Sequence, residues 1–309
     1  MRVLILGAGA IGGYYGARLI EAGHDVAFLV RPARAALLAE TGLRLRSDAG
    51  VFAQPITAVT EIAPGARHDL VLLSCKAYDL ASAIAAMAPA VGADTRVLPL
   101  LNGLRQLDML DAAFGPARVL GGLCHISVTL DADGAIRQFG TLDRLTFGSR
   151  DPASPVPAVT SAGLRKLGAN VIERNDILAA MWDKFVFIAA LAGLTCLLRG
   201  SVGEIVASPE GVELARRLYA ECAETAQRCG HAPSAVAMAE AERILTMPGS
   251  PLKASMLRDV ERGARTECEH ILGDLRERAW AHALDTPLLA AALAHVRVHE
   301  LSQAAAIGH

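Results

Sequence analysis

The chain has 309 residues, a formal net charge of −2 and a 52% apolar composition, which suits two domains with a sizeable core. So balanced a charge gives no electrostatic drive toward nucleic acid or an anionic membrane surface, and neither is expected as a partner. The six cysteines (75, 124, 196, 222, 229 and 268) show no CxxC or other metal-ligand spacing, so reduced thiols, no metal and a cytoplasmic protein are expected.

An apolar run, Val3–Leu6, leads into Gly7-Ala8-Gly9-Ala10-Ile11-Gly12, and an amphipathic stretch through Leu19 follows. A second strand at Asp25–Val30 completes βαβ spacing, the context that gives a GxGxxG its meaning. The first glycine permits the tight turn, and the second lets a pyrophosphate approach the backbone. The third lets helix and strand pack closely, so that the N–H groups of the helix start, with Ala10 and Ile11, can hold phosphates. The alternative is a glycine turn with no ligand. A strand starting at residue 2 is expected to leave no room for a signal peptide.

Chains that take NAD usually place Asp or Glu at the end of the second strand, against the ribose hydroxyls. Here that end reads Val30-Arg31-Pro32-Ala33-Arg34; the next acid is Glu40, and Asp25 lies at the strand's other end. Arg31 and Arg34 can bond a 2′-phosphate, and guanidinium can stack on adenine; the alternative is that both are solvated surface charges. NADPH is favoured over NADH.

Farther on, Leu70–Cys75 and Arg96–Leu101 have the continuous apolar character of buried parallel strands, and Val119-Leu120-Gly121-Gly122 begins a third. From His125 to Gly148 the pattern becomes alternating, with turn signals at Asp131–Gly134 and Gly140–Asp143, predicting antiparallel strands appended to the sheet. Pro152, Pro155 and Pro157 mark a surface loop. A helix and a last strand, Asn170–Glu173, complete the first domain.

Beyond Asp176 no strand is expected. Helical periodicity runs through Ile177–Leu198, Pro209–Cys229, Ala235–Met247, Ser255–Ala283 and Pro287–Ser302. The residues from Ala304 on are expected to fray. The longest apolar stretch, Phe185–Leu198, is shorter than the roughly 20 residues of a membrane span and reads as a buried helix. The fold class is therefore α/β: a Rossmann-type parallel sheet domain over 1–174, followed by an all-α domain over 175–309. Such architectures bind cofactor at the sheet's carboxyl edge and substrate in the cleft between domains. The apolar helical half makes a homodimer plausible.

Polar residues at strand ends and in the helical half are candidates for chemistry. Lys76 follows Leu70–Cys75, and Asn102-Gly103 follows Leu98–Leu101, both where ligands bind in open α/β sheets. Their alternatives are a snorkelling surface lysine and a simple turn residue. Trp182-Asp183-Lys184 opens the most apolar helix, and partial desolvation of a lysine there tends to lower its pKa toward the range useful for proton transfer; the alternative is a helix-end charge in solvent. Ser255, Asp259, Arg262 and Thr266 follow i, i+4, i+7, i+11 on one long helix, with Glu267 at the stripe's edge, although such a stripe is often just a solvated face.

Taken together, Gly7-x-Gly9-x-x-Gly12, Lys76 in Ser-Cys-Lys-Ala, Asn102-Gly103, Trp182-x-Lys184, Ser255-Met256 with Asp259, and Arg265-Thr266-Glu267 make the chain resemble the ketopantoate reductase (2-dehydropantoate 2-reductase) family over nearly its whole length. The resemblance implies hydride transfer from NADPH to the carbonyl carbon of a small 2-oxo acid, by default in pantothenate synthesis. It also implies Lys184 as general acid, Glu267 as hydrogen-bond partner of a substrate hydroxyl and Ser255 as carboxylate binder. Asn102 and Lys76 would position nicotinamide, substrate or the catalytic lysine. In this family the helix after the lysine carries asparagines four and eight residues on, where this chain has Ile188 and Ala192. The replacement implies a wider, more apolar pocket and a changed substrate. The competing readings are a dehydrogenase of a hydrophobic 2-hydroxy acid and a catalytically silent, NADP-binding sensor or scaffold. Retention of Lys184 and Glu267, neither needed to bind a nucleotide, argues against the last.

Overall fold

The computed structural model describes residues 1–48, 50–63 and 65–307. The chain divides into two compact units: Met1–Leu101 with Gln106–Leu178, and Asn102–Arg105 with the residues from Ala179 on. The element order begins β1 (Arg2–Leu6), α1 (Ala10–Glu21), β2 (Asp25–Leu29), α2 (Pro32–Thr41), β3 (Leu43–Ser47), β4 (Gly50–Gln54) and β5 (Thr57–Val59). It continues with β6 (Leu70–Leu73), α3 (Leu80–Met87), β7 (Arg96–Pro99), α4 (Arg105–Phe114), β8 (Gly121–Leu130), β9 (Ile136–Gly148), α5 (Ala158–Arg165) and β10 (Val171–Glu173).

Five strands form a wholly parallel sheet in the order β5-β2-β1-β6-β7. Its central strands are unbroken apolar runs because a parallel sheet is covered on both faces, and Val3–Ile5 and Leu70–Leu73 are fully buried. A second sheet runs β10-β9-β3-β4, with β8 also paired to β9. The segment His125–Gly148 is thus antiparallel as expected but belongs to this separate sheet and is not appended to the first. Val119 makes a single parallel bridge to Val97 before the chain leaves for β8, so no third buried parallel strand begins there.

Two further expectations are corrected in this unit. The residues Gly140–Asp143 do not turn the chain. β9 runs through them, and the register with β8 jumps from Ile126–Asp143 to Val128–Gln138, a bulge that puts Phe139 and Leu142 in solvent. The hairpin β3–β4 had no counterpart in the sequence reading, although Leu43-Arg44-Leu45-Arg46 alternates strictly: both leucines are fully buried, and Arg46 pairs with Asp131 and Asp133.

The glycines of α1 let the helix lie against both sheets. A Cβ on Gly16 would stand 2.3 Å from the Phe28 ring of the first sheet, and one on Gly13 would stand 2.2 Å from Ile136 of the second. Tyr14 and Tyr15 then donate hydrogen bonds to the Asp143 carboxylate at 2.6 and 3.3 Å, tying the helix to β9. Burial, reinforced by that carboxylate, pushes both phenols upward, so each remains a hydroxyl donor at neutral pH.

The second unit is helical among its described residues: most of α6 (Ile177–Leu198), then α7 (Val202–Val206), α8 (Gly211–Arg228), α9 (Ala235–Leu245), α10 (Ser255–Glu261), α11 (Asp274–Ala281) and α12 (Pro287–Ile307). α6 is 22 residues long and apolar enough by composition to cross a membrane, but 61% of its most apolar window is buried inside the protein. It is the core helix expected from the uncharged stretch Phe185–Leu198.

The long helix expected over Ser255–Ala283 is broken. α10 stops at Glu261, Gly263 turns the chain at φ +64°, and the chain re-enters helix through a π-helical turn, Glu269–Gly273. Ser255, Asp259, Arg262 and Thr266 therefore do not form one continuous stripe. Thr266 leaves it to donate both its backbone N–H and its hydroxyl to Glu300 of α12, at 2.8 and 2.7 Å. α12 remains helical to Ile307, past the expected fraying point at Ala304; residues 308–309 lie outside the described residues.

Candidate functional site

In the first unit the glycine-rich loop has the geometry of a phosphate cradle. Gly7 turns at φ +93°, a conformation that favours glycine, and its N–H donates to Leu29 at 3.0 Å. A Cβ on Gly12 would sit 2.1 Å from the Gly7 carbonyl oxygen and 2.2 Å from Ser74 Oγ, so only glycine lets α1 approach β1 and β6 this closely. Gly9, the N-cap of α1, has no side chain to close the helix end, and nothing lies within 4 Å of where its Cβ would be. Gly9, Ala10 and Ile11 stay only partly buried. The first-turn N–H groups thus face open space at the positive end of the helix, a fit for the pyrophosphate of a dinucleotide.

The two arginines after β2 have different surroundings. Arg31, the N-cap of α2, is exposed, and its Nη2 lies 2.7 Å from Asp79 Oδ1. Arg34 is engaged elsewhere: its Nε donates to the Ala8 carbonyl and its Nη1 to the Gly134 carbonyl, both at 3.1 Å. Its guanidinium pins the glycine-rich loop to the β8–β9 turn, which corrects the expectation that it faces a 2′-phosphate or solvent. Lys76 is exposed at the start of the 3-10 turn Ala77–Asp79, three residues past β6.

Asn102, three residues past β7, belongs to the helical unit together with Gly103. Gly103 turns at φ +89°, and a Cβ there would press to 2.9 Å on the His270 carbonyl oxygen. Burial pushes the His270 imidazole down to about 4, with Glu267 pulling it up and Arg105 pushing it further down. His270 therefore lies against Gly103 and within electrostatic reach of the half-buried Glu267, three residues before it. Ser255 is the exposed first residue of α10.

Lys184 does not open its helix. α6 starts seven residues earlier, at Ile177, so the lysine is in the second turn and half-buried, which excludes the alternative of a helix-end charge. Its neighbours fix that part of α6. Trp182 stacks on His231 with ring centroids 4.9 Å apart, the Arg278 guanidinium lies 5.4 Å from the Trp182 ring centroid, and Asp183 accepts from the Ser234 N–H and hydroxyl at 3.0 and 2.9 Å. Ile188 and Ala192 follow at i+4 and i+8 on the lysine's face; Ile188 is half-buried and Ala192 is 3% exposed. The contacts of Asp79, Asp183 and His270 have no counterpart in the sequence reading. Each acts on a residue distant in the chain, and no local motif signals that.

A family model described as Ketopantoate reductase PanE/ApbA matches residues 3–152, and its C-terminal counterpart matches residues 176–300. The chain is 36% identical to YkpB of Bacillus subtilis, an uncharacterized oxidoreductase, over 97% of this chain and 99% of that one. It is 28% identical to the 2-dehydropantoate 2-reductase of Mesorhizobium japonicum, over 96% and 97% of the two chains. A PanE/ApbA family ketopantoate reductase from Ralstonia eutropha superposes with a TM-score of 0.87 at 27% identity, covering 98% of this chain and 99% of the other. A D-mandelate dehydrogenase solved with NADH and anilino(oxo)acetate reaches a TM-score of 0.89 at 21% identity, over 98% and 99%, a likeness of fold alone.

Proposed function

This chain belongs to the ketopantoate reductase family, a family of nicotinamide-dependent oxidoreductases, and from that premise we propose that it reduces a 2-oxo acid more apolar than ketopantoate, with NADPH as the preferred reductant. The observation that carries the reading is one face of α6: a half-buried ammonium at Lys184, followed by Ile188 and Ala192. Reduced nicotinamide, when bound, supplies a hydride to the oxo carbon. Lys184 gives a proton to the oxo oxygen as its negative charge develops, yielding the 2-hydroxy acid.

The remaining roles are those that the sequence pattern and the family resemblance imply. Gly7, Gly9, Ala10, Ile11 and Gly12 hold the pyrophosphate, and Arg31 offers its guanidinium to the 2′-phosphate. Lys76 and Asn102 position nicotinamide, substrate or Lys184. Ser255 binds the substrate carboxylate, and Glu267 accepts from a substrate hydroxyl where one is present. Ile188 and Ala192 line the substrate's side chain with hydrocarbon. On this reading residues 1–174 bind the nucleotide and residues 175–309 bind the substrate.

The test is NADPH oxidation with ketopantoate and with bulkier, hydroxyl-free 2-oxo acids, each also run in reverse from the 2-hydroxy acid. The expected result is a higher kcat/KM for the hydroxyl-free substrates, in the reducing direction. NADPH that binds but is not consumed with any of them contradicts the reading.

A further inference from the structure

The sequence lacks an acid at the end of β2, but the fold brings one there. Arg31 leaves that end, while Asp79 leaves the end of β6, and β1 lies between the two strands. Neighbouring strands are about 4.8 Å apart, so the pair spans two strand spacings across the carboxyl end of β1, over the loop that Gly7 begins. In an open α/β sheet the adenosine half of a dinucleotide lies over this edge, with its ribose at the end of the second strand.

Asp79 is held in place independently of Arg31. Its backbone N–H donates to the Lys76 carbonyl at 2.9 Å, and its own carbonyl accepts from Ser82 Oγ at 2.8 Å. The arginine is the more exposed partner, with a side chain 74% exposed against 30% for the aspartate. A 2′-phosphate that takes Arg31 must therefore share the guanidinium with a carboxylate 2.7 Å away, or displace it, and must bear that carboxylate's repulsion. A ribose with a free 2′-hydroxyl meets no such charge, and a carboxylate is the usual acceptor for it.

We propose that Asp79 is a specificity-determining residue of the cofactor site: as counter-ion to Arg31 it competes with the 2′-phosphate and narrows the preference for NADPH over NADH. The proposal rests on the reading that Arg31 receives that phosphate. Dissociation constants for NADPH and NADH, read from nicotinamide fluorescence, test it on the wild-type protein, Asp79→Asn, Arg31→Ala and the double variant. Asp79→Asn is expected to tighten NADPH about tenfold, the order of one desolvating like charge removed, with NADH unchanged or weakened. In the Arg31→Ala background the gain should vanish, because the two substitutions act on one interaction.

An Asp79→Asn protein with an unchanged NADPH to NADH ratio, or with both nucleotides weakened equally, overturns the role of Asp79; equal weakening is what a merely structural loop tie would produce. Failure of the underlying reading looks different. There, Arg31→Ala itself costs NADPH and NADH the same factor, whatever Asp79→Asn does.

Discussion

Lys184→Ala is expected to lower kcat by about 10²–10⁴-fold, the usual contribution of a positioned general acid, with the dissociation constant of NADPH unchanged. Reduction of a carbonyl builds negative charge on oxygen, and the proton must arrive as that charge grows. Lys184, a half-buried residue of a hydrocarbon-rich helix, is the cationic donor assigned to that step. Lys184→Arg separates proton transfer from charge. A guanidinium keeps the positive field but does not release its proton near neutral pH, so that variant should remain far below wild type. Single-turnover oxidation of bound NADPH reads the chemical step directly. A wild-type rate in Lys184→Ala removes the lysine from the mechanism.

Restoring the amides at the next two positions of the same face should move substrate choice by a comparable factor. With Ile188→Asn and Ala192→Asn together, the ratio of kcat/KM for ketopantoate over a hydroxyl-free 2-oxo acid is expected to rise at least about 10²-fold, toward the order of 10⁴ seen when a site is built to hydrogen-bond its substrate. The gain comes from both sides. The amides bond a hydroxylated substrate, and with an apolar one they are buried unpaired, at about 1–3 kcal/mol each on mutational scales. Ala192, at 3% exposure, is the position where that cost falls on the fold as well. Ile188→Asn alone, at a half-buried site, keeps the test open if the double variant is unstable. An unmoved ratio in the folded protein contradicts the account of these two residues.

The parts of the fold legible in the sequence are those determined within a few residues. Val3–Leu6, Leu70–Leu73 and Arg96–Pro99 announce themselves as parallel strands because both faces of the sheet are covered, so the runs are unbroken. The glycine triplet was readable for the same reason, since its three roles are all met within one turn of chain. What misled was long-range chemistry. The stripe from Ser255 to Thr266 has helical spacing, and only Glu300, 34 residues beyond Thr266, shows why the helix ends before it. Gly263, at φ +64°, is a local break within that spacing that the sequence reading did not use. Arg34 looked equivalent to Arg31 until the Ala8 and Gly134 carbonyls, the latter 100 residues away, claimed it.

The site divides along the same line. Lys184 and Glu267 could be picked out by residue type and family pattern. The partners that set their surroundings, His270 beside Asn102-Gly103 and the Trp182–His231 stack beside Lys184, depend on how distant segments pack. The bulge at Gly140 shows the same dependence in the sheet. A glycine at φ +67° between alternating residues fits a hairpin turn or a bulge equally well until the partner strand is known.

The central claim is that the Lys184 ammonium serves as proton donor to a 2-oxo acid whose carbon receives the hydride. A crystal structure with NADP⁺ and a non-reducible, apolar 2-oxo acid analogue tests it most directly. The account predicts Lys184 Nζ within hydrogen-bond reach of the analogue's oxo oxygen, about 2.6–3.2 Å, with Ile188 and Ala192 against its side chain. An analogue seated on the nicotinamide with another group at its oxo oxygen, and Lys184 turned away, contradicts it.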